Sequence, residues 1–236
     1  MPTILANGIN IYYEISGSGE PIVIIGGLSA DITMLKRMIP DLSQKYKVIA
    51  FDNRGAGRTD KPNIPYSIEM MSDDTLGLIH ALGISRANIL GISMGGRIAL
   101  NLAIEHPDVV EKLILVSTGP TVSKGNGRRI VWFLIEIERR LGSILKKYRQ
   151  PQYAYAHQLR ASRSYDTTDR LGEIKTPTLI VHGKSDRLAP YKLAEEMHSR
   201  ISNSSLVTLK GGHLSFLFRN KEFVESVERF LESYIS

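Results

Sequence analysis

The 236 residues include 42% hydrophobic and 23% charged side chains, which excludes a disordered tail, a collagen and a coiled coil and leaves a globule able to bury a sizeable core. Cysteine is absent, so disulfide scaffolds, thiolate metal sites and cysteine nucleophiles are excluded together. The net charge is +6, a balance that suits acidic partners, so its location matters more than its sum.

In chain order, short runs rich in Val and Ile alternate with longer amphipathic stretches, the pattern of strands and helices around a parallel sheet. The opening Met1-Pro-Thr-Ile-Leu-Ala lacks the basic start and long apolar core of a secretory signal, and no apolar run approaches the roughly 18 residues of a membrane span. A cytoplasmic protein with no transmembrane segment is expected. Thr3 to Ala6 and Ile9 to Ile15 read as a hairpin turning at Asn7-Gly8, because Asn-Gly suits the positive φ angles of a two-residue turn. Ile22 to Ile25, Val48 to Phe51, Ala87 to Leu90, Leu113 to Val116, Thr178 to Val181 and Leu206 to Leu209 complete eight strands. Helical patterns run over Thr33 to Gln44, Ile68 to Leu82, Met94 to Glu105, Tyr191 to Arg200 and Lys221 to Tyr234, with Ser67 and Pro190 marking two starts. The span from Thr118 to Thr176 is too long for an ordinary connection. The expectation is an α/β fold with a mostly parallel eight-stranded sheet flanked by helices. Residues 1–119 and 172–236 form its core, and residues 120–171 a helical cap inserted after the sixth strand.

Directly after the strand ending at Leu90 stands Gly91-Ile92-Ser93-Met94-Gly95-Gly96, a G-x-S-x-G sequence between strand and helix. The turn presenting such a serine is so sharp that side chains two places either side would collide with the neighbouring strand and helix, hence Gly91 and Gly95. A serine hydroxyl needs a base to take its proton, and the base works best when a carboxylate fixes its tautomer. Downstream, Asp186 lies in the loop after Thr178 to Val181, and His213 in Gly211-Gly212-His213-Leu214 after the last strand. His80 and His198 fall within helical patterns, His106 precedes a proline turn, His157 lies in the cap, and His182 at a strand end reads as a packing residue. A loop aspartate capping the helix that begins near Pro190 is the other reading of Asp186.

The order Ser93, Asp186, His213 is that of the catalytic triad in the α/β-hydrolase superfamily, which the sequence resembles over essentially its whole length. Asp52-Asn-Arg54-Gly-Ala-Gly57-Arg-Thr59-Asp60 resembles the D-x-R-G-x-G-x-S turn of the same superfamily and reads as structural, since no third glycine follows at the dinucleotide spacing. The resemblance implies an oxyanion hole of two backbone N–H groups, one from Met94 and one from Leu28 in Ile25-Gly26-Gly27-Leu28-Ser29, with Gly26 where relatives often place histidine. Phe51-Asp-Asn-Arg-Gly and Asp169-Arg-Leu-Gly-Glu-Ile-Lys-Thr-Pro177 are similar to the group around 3-oxoadipate enol-lactonase and related carboxylesterases.

Residues 124–163 carry ten basic and two acidic side chains, a local charge of +8 that leaves −2 for the remainder. Ile130, Leu134, Ile137, Leu141, Leu145 and Tyr148 fall there at helical spacing. A solvated basic face on a packed helix, attraction of anionic substrates, contact with a membrane surface or acidic partner, and a homodimer contact through the cap all fit this charge. Nucleic-acid binding is not expected, because the core is mildly acidic and no recognition motif appears. The reading is a serine hydrolase that cleaves a carboxylic ester or lactone through an acyl-enzyme on Ser93, with no metal or organic cofactor. Carbon–carbon bond hydrolysis and thioester cleavage use the same triad, and a non-catalytic ligand-binding protein on this fold is the reading from another class.

Overall fold

The computed structural model describes residues 2–122 and 148–233. One sheet contains β1 (Thr3–Ala6), β2 (Ile9–Ser16), β3 (Pro21–Ile25), β4 (Lys47–Phe51), β5 (Ala87–Ile92), β6 (Val110–Val116), β7 (Thr178–Gly183) and β8 (Ser204–Leu209). Their spatial order is β1-β2-β4-β3-β5-β6-β7-β8. The β1–β2 and β2–β4 pairs are antiparallel and the rest parallel, so the sheet has the expected composition. Asn7 and Gly8 both take positive φ, 47° and 75°, as the two-residue hairpin turn requires.

The apolar runs are continuous because helices cover both faces of the inner strands. The helices are α1 (Ile39–Leu42), α2 (Ile68–Ala81), α3 (Met94–Glu105), α4 (Gln152–Ser164), α5 (Lys192–Arg200), α6 (Ser215–Phe218) and α7 (Asn220–Glu232). On one face Val23, Ile25, Ile49 and Ile89 pack with Leu78 of α2, Ile98 and Leu102 of α3 and Met197 of α5. On the other, Ile22, Ile24, Leu90 and Ile114 meet Leu42 of α1 and Phe223, Val227 and Phe230 of α7.

Two elements differ from the sequence expectation. Thr33 to Gln44 is not one helix but a 3-10 turn, Ile32–Leu35, followed by α1. Asp31 accepts the Thr33 N–H at 2.9 Å and starts the first piece. Pro40, which has no N–H to give, sits in the opening turn of the second, where none is needed. The C-terminal helix is preceded by the short α6, which no periodicity announces.

Asp52, fully buried, accepts the N–H groups of Ile32 at 2.8 Å and Arg58 at 2.7 Å, and a side chain on Gly57 would run into its carboxylate. Arg54 forms a buried ion pair with Asp74 of α2, which also takes a 2.8 Å hydrogen bond from the Asn7 amide. The 52–60 turn therefore locks hairpin, sheet and α2 together, the structural part expected of it.

Between β6 and β7 the described part of the insertion comprises α4 and a 3-10 stretch, Thr168–Glu173. The apolar stripe from Ile130 to Leu145 and the basic residues from Lys124 to Lys147 lie outside the described residues. Helix α4 docks on the core through Tyr153, whose hydroxyl donates to the Lys61 carbonyl at 2.8 Å, and through Arg97 of α3. That guanidinium donates to Ser162 Oγ at 2.8 Å and to the Thr121 carbonyl at 3.2 Å, with no carboxylate partner among the described residues. Burial pulls it down to about 10. No helix among the described residues is long and apolar enough to cross a membrane.

Candidate active site

The nucleophile candidate sits where β5 meets α3. Ser93 has φ 55° and ψ −114°, a conformation that costs a non-glycine residue roughly 1–3 kcal/mol and persists only when its surroundings impose it. The imposing contacts are visible. A Cβ on Gly91 would lie 2.7 Å from Gly96 Cα and 2.8 Å from Ala99 Cβ, and one on Gly95 would run into the Ile25 carbonyl oxygen. The Ser93 N–H donates to the Val116 carbonyl at 2.9 Å, and its own carbonyl accepts from Thr118 Oγ1 at 2.6 Å. Thr118, just beyond β6, thereby fastens the elbow to the end of that strand.

The other two residues hang from the parallel pair β7 and β8. The Lys184 N–H donates to the Leu209 carbonyl at 2.9 Å and the Ser185 N–H to the Gly211 carbonyl at 2.8 Å, strapping the two loops side by side. His213 Nε2 then lies 3.0 Å from Ser93 Oγ, and its Nδ1 2.8 Å from Asp186 Oδ2. Asp186 Oδ1 meanwhile accepts the N–H groups of Leu188 at 2.8 Å and Ala189 at 2.9 Å. One carboxylate thus organises its own loop with one oxygen and faces the imidazole with the other. Burial by itself pushes this carboxyl up, but the adjacent His182 and His213 imidazoles and the Ala189 N–H outweigh it and hold Asp186 well below the ordinary carboxylate range.

His182 is fully buried, as a packing residue would be, but it stands beside the same carboxylate. Its Nε2 is 2.7 Å from the Ala189 carbonyl and 3.4 Å from Asp186 Oδ2. The shorter contact takes the proton, so the tie to Asp186 is electrostatic and the imidazole closes the 186–189 loop. Its i, i+4 spacing to Asp186 was the only sequence signal.

Of the two oxyanion candidates, Met94 follows the serine in the chain and Leu28 follows Gly27, which packs against it. Gly27 packs so closely that a Cβ there would be 3.4 Å from Ser93 Cβ. The Gly26 carbonyl accepts from Asn53 Nδ2 at 2.9 Å, and the Gly27 carbonyl from the Ala30 N–H at 3.1 Å. Among the described residues neither the Leu28 N–H nor the Met94 N–H has an acceptor. Met94 opens α3, where the first N–H groups are left over by helix geometry and carry partial positive charge. A proton acceptor aimed at a strained hydroxyl, with two donors nearby, is an arrangement that can add a hydroxyl to a carbonyl and hold the resulting oxyanion.

Comparison with known proteins gives a consistent picture. Residues 20–133 match the family described as alpha/beta hydrolase fold, and residues 149–234 match the family of TAP-like proteins. The AB hydrolase superfamily protein YisY of Bacillus subtilis (strain 168) is 29% identical over 93% of this chain and 94% of its own. The enol-lactonase of Burkholderia xenovorans LB400 superposes with TM-score 0.86 at 26% identity, over 98% of this chain and 100% of its own. The esterase of Exiguobacterium antarcticum does so with TM-score 0.86 at 30% identity, over 98% of each chain.

Proposed function

Because the chain belongs to the α/β-hydrolase superfamily, we propose that it is a serine hydrolase of small carboxylic esters or lactones, working by acyl transfer to Ser93 beneath a cap formed by residues 120–171. The observation that carries the reading is the unbroken line from Ser93 Oγ to His213 Nε2, 3.0 Å, and from His213 Nδ1 to Asp186 Oδ2, 2.8 Å. His213 takes the serine proton as Oγ attacks the carbonyl, and returns it to the departing alkoxide. Asp186 keeps the His213 proton on Nδ1 and steadies the imidazolium. The N–H groups of Leu28 and Met94 receive the oxyanion, and water activated by His213 then releases the acyl group.

Likeness to an enol-lactonase and an esterase supports ester and lactone bonds as the substrate class. The local charge of +8 over residues 124–163 favours a substrate bearing negative charge, for which kcat/KM falls as salt is added. A kcat/KM unchanged between low and high salt removes the charge from the proposal.

The test is hydrolysis of p-nitrophenyl esters from acetate to decanoate, and of a γ- or δ-lactone, by wild type and Ser93→Ala at equal folded concentration. Turnover by wild type that vanishes in the variant is the expected result. A Ser93→Ala protein that still turns over, or a wild type that neither turns over nor reacts with a fluorophosphonate at Ser93, overturns the mechanism.

A further inference from the structure

In the loop holding the second oxyanion donor, Gly26 and Gly27 precede Leu28 and bring no side chain to stiffen it. Ser29, which follows, has φ 62°, an unfavourable region for a serine that a free loop would leave. One of its holds comes from 129 residues away. The Ser29 N–H donates to Gln158 Oε1 at 3.0 Å, while Gln158 Nε2 donates to the Arg54 carbonyl at 2.7 Å in the turn locked by Asp52 and the Arg54–Asp74 pair. Gln158 is completely buried, and its Oε1 also accepts from Gln150 Nε2 at 3.0 Å. A buried amide anchored at both ends to backbone transmits position rigidly, since leaving either end unpaired costs about 1–3 kcal/mol.

We propose that Gln158 of α4 is a positioning residue for the oxyanion hole. It clamps the Leu28–Ser29 peptide to the 52–60 turn, so that the Leu28 N–H stays aimed at the carbonyl oxygen attacked by Ser93. The proposal rests on the acyl-transfer reading given above, and it makes the inserted segment a contributor to the chemical step as well as a cover. Gln158 touches neither the reacting atoms nor the triad; it acts through Leu28.

The test uses Gln158→Met, which keeps length and packing but loses all three hydrogen bonds, including both to backbone, with Gln150→Ala as a control that removes one side-chain partner of Gln158 and leaves the loop bond intact. Two quantities are read: kcat and KM on a p-nitrophenyl ester, and Ki of phenylboronic acid, whose adduct with Ser93 Oγ is tetrahedral and places an oxygen where the oxyanion forms. Complete loss of one oxyanion donor lowers kcat about 10²–10³-fold, so a displaced donor should lower it roughly 10- to 100-fold. KM should stay within about threefold, Ki should rise by the same factor as kcat falls, and Gln150→Ala should stay near wild type. A merely structural amide would lower thermal stability without linking Ki to kcat. If Gln158→Met fails to fold, Gln158→Asn carries the test, because it keeps a neutral amide but is one methylene too short to reach the Ser29 N–H and the Arg54 carbonyl together. A parallel but smaller change in kcat and Ki is then expected.

Folded variants whose kcat and Ki both stay within twofold of an active wild type overturn the role of Gln158 alone. A wild type inert to both ester and boronate overturns the acyl-transfer reading and this inference with it.

Discussion

Replacing Asp186 by asparagine removes one charge and almost no volume, and the structure says which way the new amide will face. Oδ1 of Asp186 is held by two backbone donors, Leu188 N–H at 2.8 Å and Ala189 N–H at 2.9 Å. An asparagine there keeps its carbonyl oxygen on those donors and turns its NH2 group toward His213 Nδ1, which now faces Oδ2 at 2.8 Å. Two donors cannot share a bond, so the imidazole moves its proton to Nε2, the nitrogen 3.0 Å from Ser93 Oγ. In that tautomer it cannot accept the serine proton. A change of this kind in a serine triad lowers kcat by about 10⁴, equivalent to about 5.4 kcal/mol of barrier at 1.36 kcal/mol per decade. The assay is kcat on p-nitrophenyl acetate, with Ser93→Ala setting the floor and circular dichroism confirming that the variant folds. KM should change little, because no contact to the substrate is lost. A folded Asp186→Asn protein retaining more than about a tenth of wild-type kcat would refute the argument that the 186–189 loop dictates the tautomer.

The same carboxylate predicts a pH effect on stability. Its native value is held below the ordinary range, so its contribution is complete above the unfolded value of about 4 and is lost as pH falls toward the native one. In urea unfolding, the stability gap between wild type and Asp186→Asn should be constant from pH 7 to 5 and shrink below pH 4; a gap that widens on acidification contradicts the assignment. For Arg54 and Asp74, burial outweighs the attraction and leaves the Asp74 carboxyl above its ordinary value, so the pair adds little net stability but is costly to break. Arg54→Met should destabilise by about 3–5 kcal/mol, and adding Asp74→Leu should recover much of that. A single variant within 1 kcal/mol of wild type in a denaturant titration would contradict the burial argument.

The eight strands were legible because five of them contain short continuous apolar runs, a sixth carries Leu206-Val207 at the end of the chain's alternation, and the other two flank an Asn-Gly turn. The Ser93 elbow was legible because glycine is the one residue that fits at positions 91 and 95, a covalent-scale constraint that leaves a local mark. Other features leave no such mark. Pro40 interrupts a pattern that periodicity alone reads as one helix. Helix α4 buries Gln158 and Ser162 along with Ala154 and Ala161, so its inward face is half polar and escapes a search for apolar periodicity. Gln158, Thr118 and His182 owe their placement to partners far along the chain or on a neighbouring loop. Hydrogen-bond satisfaction, which explains all three, is a property of the packed state alone.

The position of β8 at the rim of the sheet has a consequence for inactivation. Ser93 stands between strands bonded on both sides, whereas His213 follows a strand with a single neighbour and a half-exposed pattern. Edge elements with few buried contacts open at lower free energy than the global transition. Peeling β8 from β7 would carry the base away from a nucleophile that is still in place. On the acyl-transfer reading, catalytic competence is then expected to be lost before foldedness, so that enzymatic half-life under mild denaturant would report on one strand and not on the whole domain.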